Sequence, residues 1–370
     1  MIPFVYGTVV TKDFFCGRED AILRIDELLL SSQNIVLNGE RRIGKSSLIV
    51  EVIRRQKKLT GIYVDLMEVK SKEDLFQRLA RGVLSANYQK SMFELLSKTL
   101  ANFKPQIGID PVTQLPTLSI DSKTKIEDNS IDAIFSSIVE INKKQKIVVF
   151  IDEFQDVIKL KEYRLILSLL RGKIQYLSDV SFVYAGSIRN QMEHIFADND
   201  SPFFKSAIPI TVGPIKQDLL VKFIKKRFNI GKRSISEDII KEIFSITDMV
   251  TGDIQQFCEA IWSTSSYGDE IKNDSFKKAI ELIFSHENMV YERIFGELTN
   301  FQLKVLKAVA KYGGREIYSN NFFEKNGFTN ASSVKRSIDK LVKTKILFIY
   351  KKEYKFANPF FKLWLLKNYT

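Results

Sequence analysis

The sequence predicts an α/β protein with a mainly parallel sheet, followed by a helical domain and a winged helix-turn-helix. Short apolar runs alternate with amphipathic helices up to Gly213-Pro214, as in βαβ units whose sheet is covered on both faces. One of these runs leads into a glycine-rich loop, and another ends in two acidic residues. Beyond residue 214 the alternation stops, and the pattern is helical until a final hairpin.

The elements of the first domain, residues 1–214, follow from the period of the apolar residues. Its expected helices are residues 18–30, 46–57, 72–103 with a break near 86–90, 130–144, 160–178 and 188–197. Its expected strands are residues 34–38, 61–66, 146–151, 181–185 and 208–212. Residues 1–13 are expected to be extended. Residues 104–128 contain prolines between two short β-like runs, which indicates a hairpin insertion.

The rest of the chain divides into two further predicted domains. Residues 215–296 are expected to be all-α, with helices at 216–228, 235–248, 253–264 and 274–296. Residues 297–370 are expected to contain helices at 299–312, 320–325 and 330–343 and strands at 346–350 and 354–357. Helix, helix, helix and hairpin is the order of a winged helix-turn-helix.

The composition is that of a globular protein, with 45% hydrophobic and 27% charged residues among 370. The presence of only two cysteines argues against a disulfide framework and indicates a reducing cytoplasm. The two histidines have no neighbours with metal-ligand spacing, which argues against structural zinc. No apolar run approaches the roughly 20 residues that cross a bilayer, so no membrane partner is expected.

The positive charge is concentrated in the C-terminal section. Residues 299–370 hold 15 lysines and arginines against 4 acidic residues, and thus +11 of the net +12 of the chain. An ordinary solvated surface would spread this excess more evenly. We therefore expect this section to bind a polyanion, and double-stranded DNA is the expected partner.

A phosphate-binding loop is predicted between the first strand and the second helix. Residues 39–46 read G-x-x-x-x-G-K-S. Glycines let a backbone wrap a phosphate, and N–H groups at the helix N-terminus point at the anion. Lys45 would reach the β- and γ-phosphates of ATP, and Ser46 would ligate Mg²⁺. The residues expected to bind ATP or ADP here are Gly39, Arg41, Arg42, Ile43, Gly44, Lys45, Ser46 and Ser47. The alternative is a glycine turn that caps an ordinary helix.

Three polar residues that follow later strands complete the predicted site. Asp152 and Glu153 end a buried apolar strand, at the edge where ligands bind in open α/β sheets. Asp152 would hold the Mg²⁺ shell, and Glu153 would orient and deprotonate the attacking water. Ser187 ends the next strand, where its hydroxyl would touch the γ-phosphate or this water. The alternative role for Ser187, which is compatible with the first, is the N-cap of helix 188–197.

These motifs together resemble the archaeal/prokaryotic ATPase family within the AAA+/STAND grouping of P-loop ATPases. Four segments carry the resemblance. Residues 15–19 are similar to the F-x-G-R-E box of the family, and residues 39–48 to its G-P-R-R-x-G-K-T-S-L loop. Residues 150–155 are similar to its D-E-F-Q strand, and residues 358–364 to its D-P-x-F-x-x-W signature. The resemblance implies an ATPase with a nucleotide-binding core, a helical lid and a terminal winged helix. It also adds Gly17 and Arg18 to the expected nucleotide-binding residues.

Three departures from the family pattern bear on the rate of hydrolysis. Glu40 replaces the usual proline and places a negative charge close to the phosphates. Lys205 stands where the family has an arginine, and lysine lacks the bidentate fork of an arginine finger. Residues 251–256 resemble the lid turn but supply no arginine that could sense the γ-phosphate. We therefore expect hydrolysis that is slow, or that needs a protein partner or self-association.

The third helix of the winged section is expected to enter the major groove of DNA, while the wing crosses the phosphates. The expected contacts are Ser332, Lys335, Arg336 and Lys340 on the helix and Lys351, Lys352 and Lys355 in the wing. The chain as a whole then reads as a switch in which ATP controls DNA binding. Two alternatives stay open: a signalling or scaffold ATPase whose winged helix binds protein, and an origin-recognition-like loader.

Overall fold

The computed structural model describes residues 2–86, 96, 99, 100, 103, 105–109, 116–120, 126–350 and 352–369. The chain divides into two compact units, one of Gly7–Lys216 and one of Met1–Tyr6 together with Gln217–Thr370. The boundary expected after residue 214 lies next to this division. The boundary expected after residue 296 lies inside the second unit and stays a prediction. No helix in the described ranges is long and apolar enough to cross a membrane.

The first unit is built on a five-stranded parallel sheet, which confirms the predicted fold class. The strands of this unit are β1 (Ile35–Asn38), β2 (Leu59–Asp65), β3 (Pro105–Ile109), β4 (Pro116–Ile120), β5 (Lys146–Asp152), β6 (Ser181–Gly186) and β7 (Ile208–Thr211). The sheet has the order β2-β5-β6-β1-β7, and all neighbours are parallel. β3 and β4 form a separate antiparallel pair, which is the hairpin expected within residues 104–128.

The described helices of the first unit follow the predicted order with shifted ends. They are α1 (Glu19–Leu30), α2 (Lys45–Arg55), α3 (Lys72–Ser85), α4 (Asp128–Lys144), α5 (Tyr163–Ile174) and α6 (Arg189–Phe196). The lead-in over residues 1–13 was expected to be extended, but it runs into a short 3-10 helix at Lys12–Phe14. Most of the stretch expected to continue α3 to residue 103 lies outside the described residues.

The helix expected over residues 160–178 is wrong at both ends. The helix begins later than expected, because the chain first forms a separate 3-10 helix at Phe154–Lys159 and α5 starts only at Tyr163. It also ends earlier than expected, at Ile174. Beyond this point the chain makes two tight turns, closed by hydrogen bonds from Leu177 to Ile174 and from Val180 to Leu177. These turns bring Val180 into the core just before β6, which a continued helix would not do.

Both faces of the sheet are covered, and this explains why β5 is apolar along its length. Ile147, Val149 and Ile151 join the core on one face, and Val148 and Phe150 join the core on the other. The first core is completed by α3, α4 and α5, and the second by α1 and α2. Successive side chains of a strand point to opposite faces, so a strand buried on both faces shows no alternation of polar and apolar residues.

The second unit combines helices with two small pairs of strands. Its helices are α7 (Gln217–Asn229), α8 (Glu237–Ile246), α9 (Thr251–Ser263), α10 (Asn273–Gly296), α11 (Asn300–Tyr312), α12 (Asn320–Asn326), α13 (Ala331–Lys343) and α14 (Pro359–Tyr369). Its strands are β8 (Ser234–Ile235), β9 (Glu270–Ile271), β10 (Leu347–Tyr350) and β11 (Glu353–Phe356). Helices α11 to α13 and the antiparallel hairpin β10–β11 have the order expected of a winged helix.

The expectation of an all-α domain over residues 215–296 is wrong in one respect. β8 and β9 pair in parallel between these helices. Each strand has two residues, which is too short to give an alternating pattern in the sequence. Helix α14 was also not expected, although its Trp364 is buried and lies 5.6 Å from the ring of Tyr291.

The N-terminal residues are part of the second unit. Phe4 is 2% exposed, and its ring centroid lies 4.8 Å from that of Phe228 and 6.4 Å from that of Trp262. These distances are those of aromatic pairs in protein cores. The second unit is therefore discontinuous in the sequence.

Gly314 connects the end of α11 to the wing of the second unit. Its carbonyl oxygen accepts a hydrogen bond of 3.0 Å from the backbone N–H of Tyr354. A methyl group on Gly314 would lie 1.8 Å from the carbonyl oxygen of Tyr354. A side chain therefore has no room at this position, and Gly314 has a packing role, whereas the neighbouring Gly313 caps the helix.

We predict that Gly314→Ala destabilises the second unit by about 1–3 kcal/mol, the usual cost of a substitution that forces backbone to move. Unfolding of the full chain by heat or urea measures the effect. Gly296→Ala is the matched control, because its new methyl group would meet no described residue outside its own helix within 4 Å. The control should change the stability by at most about 1 kcal/mol. Equal losses in the two variants would contradict the prediction.

Candidate active site

Three neighbouring strands bring the predicted site residues to one edge of the sheet. β5, β6 and β1 are adjacent and parallel, so the segments after them leave from the same edge. The phosphate loop follows β1, Asp152 ends β5, and Ser187 follows β6. Open α/β sheets bind their ligands at this carboxyl edge.

The phosphate loop is shaped by its two glycines. Gly44 stands at the N-cap of α2 with a φ of 100°, a left-handed conformation that favours glycine. Gly39 packs closely on the chain after β7, where a methyl group would lie 2.7 Å from the carbonyl oxygen of Val212. Among the described residues no side chain caps the start of α2, so its first N–H groups can bind an anion.

Lys45 holds its ammonium inside this loop. The side chain is 6% exposed, and Nζ donates hydrogen bonds of 2.9 Å to the carbonyl oxygens of Gly39 and Glu40. Burial lowers the pKa of the Lys45 ammonium below its ordinary value, while the carboxylates of Glu153 and Asp152 oppose this shift. An enclosed cation at the end of a helix is suited to bind phosphate oxygens.

Ser46 and Asp152 meet across the site, as the sequence analysis expects of two Mg²⁺ ligands. The Ser46 hydroxyl donates to Oδ2 of Asp152, and the backbone N–H of Glu153 donates to Oδ1 at 2.9 Å. Burial raises the pKa of the Asp152 carboxyl above its ordinary value, and the hydrogen bond from Ser46 opposes this shift. A hydroxyl and a partly buried carboxylate are hard oxygen ligands, so the donor set fits Mg²⁺.

Glu153 is held by two donors on one of its carboxylate oxygens. Its backbone has a φ of 49°, which is left-handed and unusual for a residue with a side chain. The hydroxyl of Ser187 donates to Oε2 at 2.8 Å, and the side-chain amide of Gln155 donates to the same oxygen. Ser187 does not cap α6, whose N-cap is Ile188 without a side-chain hydrogen bond. The alternative role of Ser187 is therefore wrong.

Arg18 contacts the backbone of the phosphate loop. Its guanidinium donates hydrogen bonds of 2.7 Å to the carbonyl oxygens of Ile43 and Gly213. Burial lowers the pKa of Arg18 to about 10. Gly17 and Arg18 both have left-handed backbones, with φ of 64° and 69°. Arg18 thus fixes the loop that would bind the nucleotide, a role that the resemblance alone did not define.

The remaining predicted loop residues have different surroundings. Ile43 is buried in the core, so only its backbone can face a ligand. The Ser47 hydroxyl accepts a hydrogen bond of 3.1 Å from the N–H of Val10. Arg41 is exposed, and Arg42 is half-buried with a φ of 63°. Direct contacts of these side chains with a nucleotide stay predictions.

Two further residues bear on the site. Gln155 is the last residue of the D-E-F-Q motif, and no role was expected for it. Its position two residues after Glu153 is the signal that could have indicated a contact with this carboxylate. Lys205, at the position of the family arginine, lies with Nζ 5.0 Å above the ring of Phe204. Because Lys205 is exposed, this contact holds its ammonium only weakly.

The predicted DNA-binding residues lie on the surface of the second unit. Ser332, Lys335, Arg336 and Lys340 are exposed on α13, and Lys352 is exposed in the turn of the hairpin. Lys351 lies outside the described residues. Lys355 differs from the expectation, because its side chain is only 20% exposed and forms an ion pair of 3.3 Å with Asp248.

Comparisons with known proteins agree with this architecture. Residues 15–257 match the model of a family described as an ATPase domain predominantly from Archaea, and residues 289–367 match that of a probable winged helix domain. No curated protein matches the chain.

Two solved structures have a similar fold. One is the Walker-type ATPase PABY2304 of Pyrococcus abyssi, which is 18% identical, covers 98% of this chain and 99% of its own, and has a TM-score of 0.67. The other is the ORC1 protein of Aeropyrum pernix in complex with DNA, which is 14% identical, covers 96% of this chain and 94% of its own, and has a TM-score of 0.53. At these identities the similarity shows the fold alone.

We predict that Arg18→Ala weakens ATP binding by about tenfold, or about 1.4 kcal/mol, because the loop loses the charged hydrogen bond at Ile43 that ties it, through Arg18, to Gly213. Titration calorimetry with ATP measures the effect. Arg24→Ala, on the helix that Arg18 precedes, is the control, since Arg24 is exposed and pairs with the exposed Glu27. Unchanged affinity in Arg18→Ala would contradict a role in fixing the loop.

Proposed function

Since the chain belongs to the family of ATPase domains found predominantly in Archaea, we propose that it hydrolyses ATP with Mg²⁺ at the phosphate loop and that its nucleotide state controls DNA binding by the winged helix. The chain is a P-loop ATPase with a C-terminal winged helix domain. The observation that carries the proposal is the convergence of Lys45, the Ser46–Asp152 pair and the Ser187–Glu153 pair at one edge of the sheet.

In the binding step, the loop and α2 receive the phosphates. Lys45 leaves the loop carbonyl oxygens and pairs with the β- and γ-phosphate oxygens, while N–H groups at the start of α2 donate to them. Ser46 and Asp152 would hold Mg²⁺, which when bound supplies positive charge to the phosphate oxygens. Arg18 keeps the loop backbone in place during this exchange.

In the chemical step, Glu153 acts on water. Its carboxylate accepts a proton from the water molecule as the water oxygen attacks the γ-phosphorus, and ADP and phosphate leave. Ser187 holds the carboxylate by its hydrogen bond of 2.8 Å. Lys45 offsets the negative charge on the leaving β-phosphate. A base held by a neighbouring group is the usual arrangement of such sites.

We expect the isolated chain to hydrolyse ATP slowly. An arginine that reaches the γ-phosphate is worth several orders of magnitude in rate in related chemistry. At the position of the family arginine, Lys205 instead lies over Phe204. The start of α9, which resembles the lid turn, carries no arginine. A partner or a second copy that supplies a cation would therefore accelerate the reaction.

The surface of α13 supports DNA as the ligand of the second unit. Four expected contacts on this helix are exposed, and the section carries +11 of the net charge. The ORC1 protein of similar fold was solved in complex with DNA. A helix of this kind reads the major groove while the hairpin lies on the backbone.

A second candidate is a winged helix that binds protein. Lys355, expected in the DNA-contacting wing, is paired with Asp248 instead. Ile349 on the neighbouring strand is 58% exposed, and an exposed aliphatic side chain contributes more to a protein interface than to a phosphate contact. The two candidates differ in their dependence on salt.

We predict that Glu153→Gln binds ATP with unchanged affinity but lowers the turnover by a factor of about 10² to 10⁴, because the base is lost. Lys45→Ala should abolish binding itself. Phosphate release and titration calorimetry separate the two effects. Glu140→Gln, an exposed glutamate of α4, is the control and should behave as the unsubstituted protein. Full turnover in Glu153→Gln would remove Glu153 as the base.

We also predict that the affinity for duplex DNA falls steeply between 50 and 200 mM salt, as counterion release requires. Replacing the exposed wing residue Lys352 by alanine should weaken binding and reduce the slope of log K against log salt by about 0.9, the value for one lost phosphate contact. Fluorescence anisotropy measures both. Lys278→Ala, on an exposed lysine paired with Asp274, is the control. Affinity that is independent of salt would favour the protein-binding candidate.

A further inference from the structure

Gln155 lies beside the proposed base and has no role in the function described so far. It follows Glu153 by two residues, in the 3-10 helix, and is 1% exposed. Its amide nitrogen donates to Oε2 of Glu153 and, at 3.4 Å, to Oδ1 of Asp156. Both N–H groups of the amide thus face carboxylates. A flipped amide would turn its oxygen toward two acceptors, so the chemistry of the site determines the orientation.

The oxygen of the same amide is buried without a hydrogen-bond partner in the described part of the chain. A buried acceptor without a partner lowers stability, and native proteins rarely keep one. Gln155 is therefore a poor choice for packing alone. The amide nitrogen of Gln155 explains why a glutamine occupies this position. An apolar residue could not replace the hydrogen bond that this nitrogen donates to Glu153.

The surroundings make room for Gln155 and fix it. A methyl group on Gly186, the last residue of β6, would lie 2.4 Å from Oε1 of Gln155. The glycine before Ser187 thus leaves the space that the amide fills. On the other side, Asp156 is itself held by the N–H of Glu68 at 2.8 Å and by the ammonium of Lys159 at 2.5 Å. The amide is set between a fixed carboxylate and the proposed base.

We propose that Gln155 is a positioning residue of the ATPase, which acts through Glu153 without touching the substrate. Together with Ser187 it occupies Oε2 of Glu153. The other carboxylate oxygen, Oε1, is then the atom that accepts the proton from the attacking water. The inference rests on the proposed function, because it takes Glu153 to be the base. It assigns a specific role to the glutamine of the D-E-F-Q motif.

The test is a double-mutant cycle with Gln155→Met and Glu153→Gln in the full chain. Methionine keeps the length of glutamine and removes both the donor and the unpaired acceptor. Gln155→Met should therefore retain the unfolding temperature and the ATP affinity and lower kcat by about 100-fold, the loss typical of a misplaced catalytic group. In a Glu153→Gln background the same substitution should lower the residual turnover no further.

Three outcomes would overturn the inference. One is an unchanged kcat in Gln155→Met, and another is an equal fold-loss in both backgrounds, which is the behaviour of a structural residue. The third is a loss of ATP affinity as large as the loss of kcat. Gln155→Leu repeats the measurement if the methionine variant does not fold. The single variant Glu153→Gln reports separately on the proposed function, since full turnover there removes the base whatever Gln155 does.

Discussion

The candidate site depends on one electrostatic constraint, which is that a buried ammonium and two partly buried carboxylates share one edge of the sheet. Charges removed from water cost several kcal/mol each unless other groups replace the solvent. Here neutral groups do so: carbonyl oxygens surround Lys45, and hydroxyl and amide donors hold Asp152 and Glu153. The charges are thus fixed by dipoles and remain available to a charged ligand, which is the condition for electrostatic preorganisation.

Three residues at the candidate site have an unusual backbone. Arg18, Arg42 and Glu153 carry side chains at φ of 69°, 63° and 49°. Left-handed residues of this kind cost of order 1 kcal/mol or more each and persist only where their surroundings hold them. Arg18 is held through two carbonyl oxygens, and Glu153 through its carboxylate. At these three residues the backbone strain fixes the conformation of the phosphate loop and of the proposed base, Glu153. The regular sheet behind them holds the strained residues in place.

Much of the fold and the membership of the site could be predicted from the sequence, because buried strands, the phosphate loop and paired carboxylates are local signals. The contacts of the site residues could not. Ser187 turns to Glu153 instead of capping its own helix, and Arg18 bonds to Gly213 far along the chain. Such choices depend on which strands become neighbours. Very short elements such as β8 could not be predicted for another reason, since two residues cannot show an alternating pattern of polar and apolar side chains.

The aromatic contacts of Phe4 determine the order in which parts of the protein can fold during synthesis. Its partners Phe228 and Trp262 are translated roughly two hundred residues later, which at about 5–20 residues per second is an interval of ten seconds or more. Within that time residues 7–216 can complete their sheet, whereas the ring partners of Phe4 have not yet been made. Attachment of the N-terminal residues is therefore a late and entropically costly event. The contact thus couples completion of the second unit to residues made long before it.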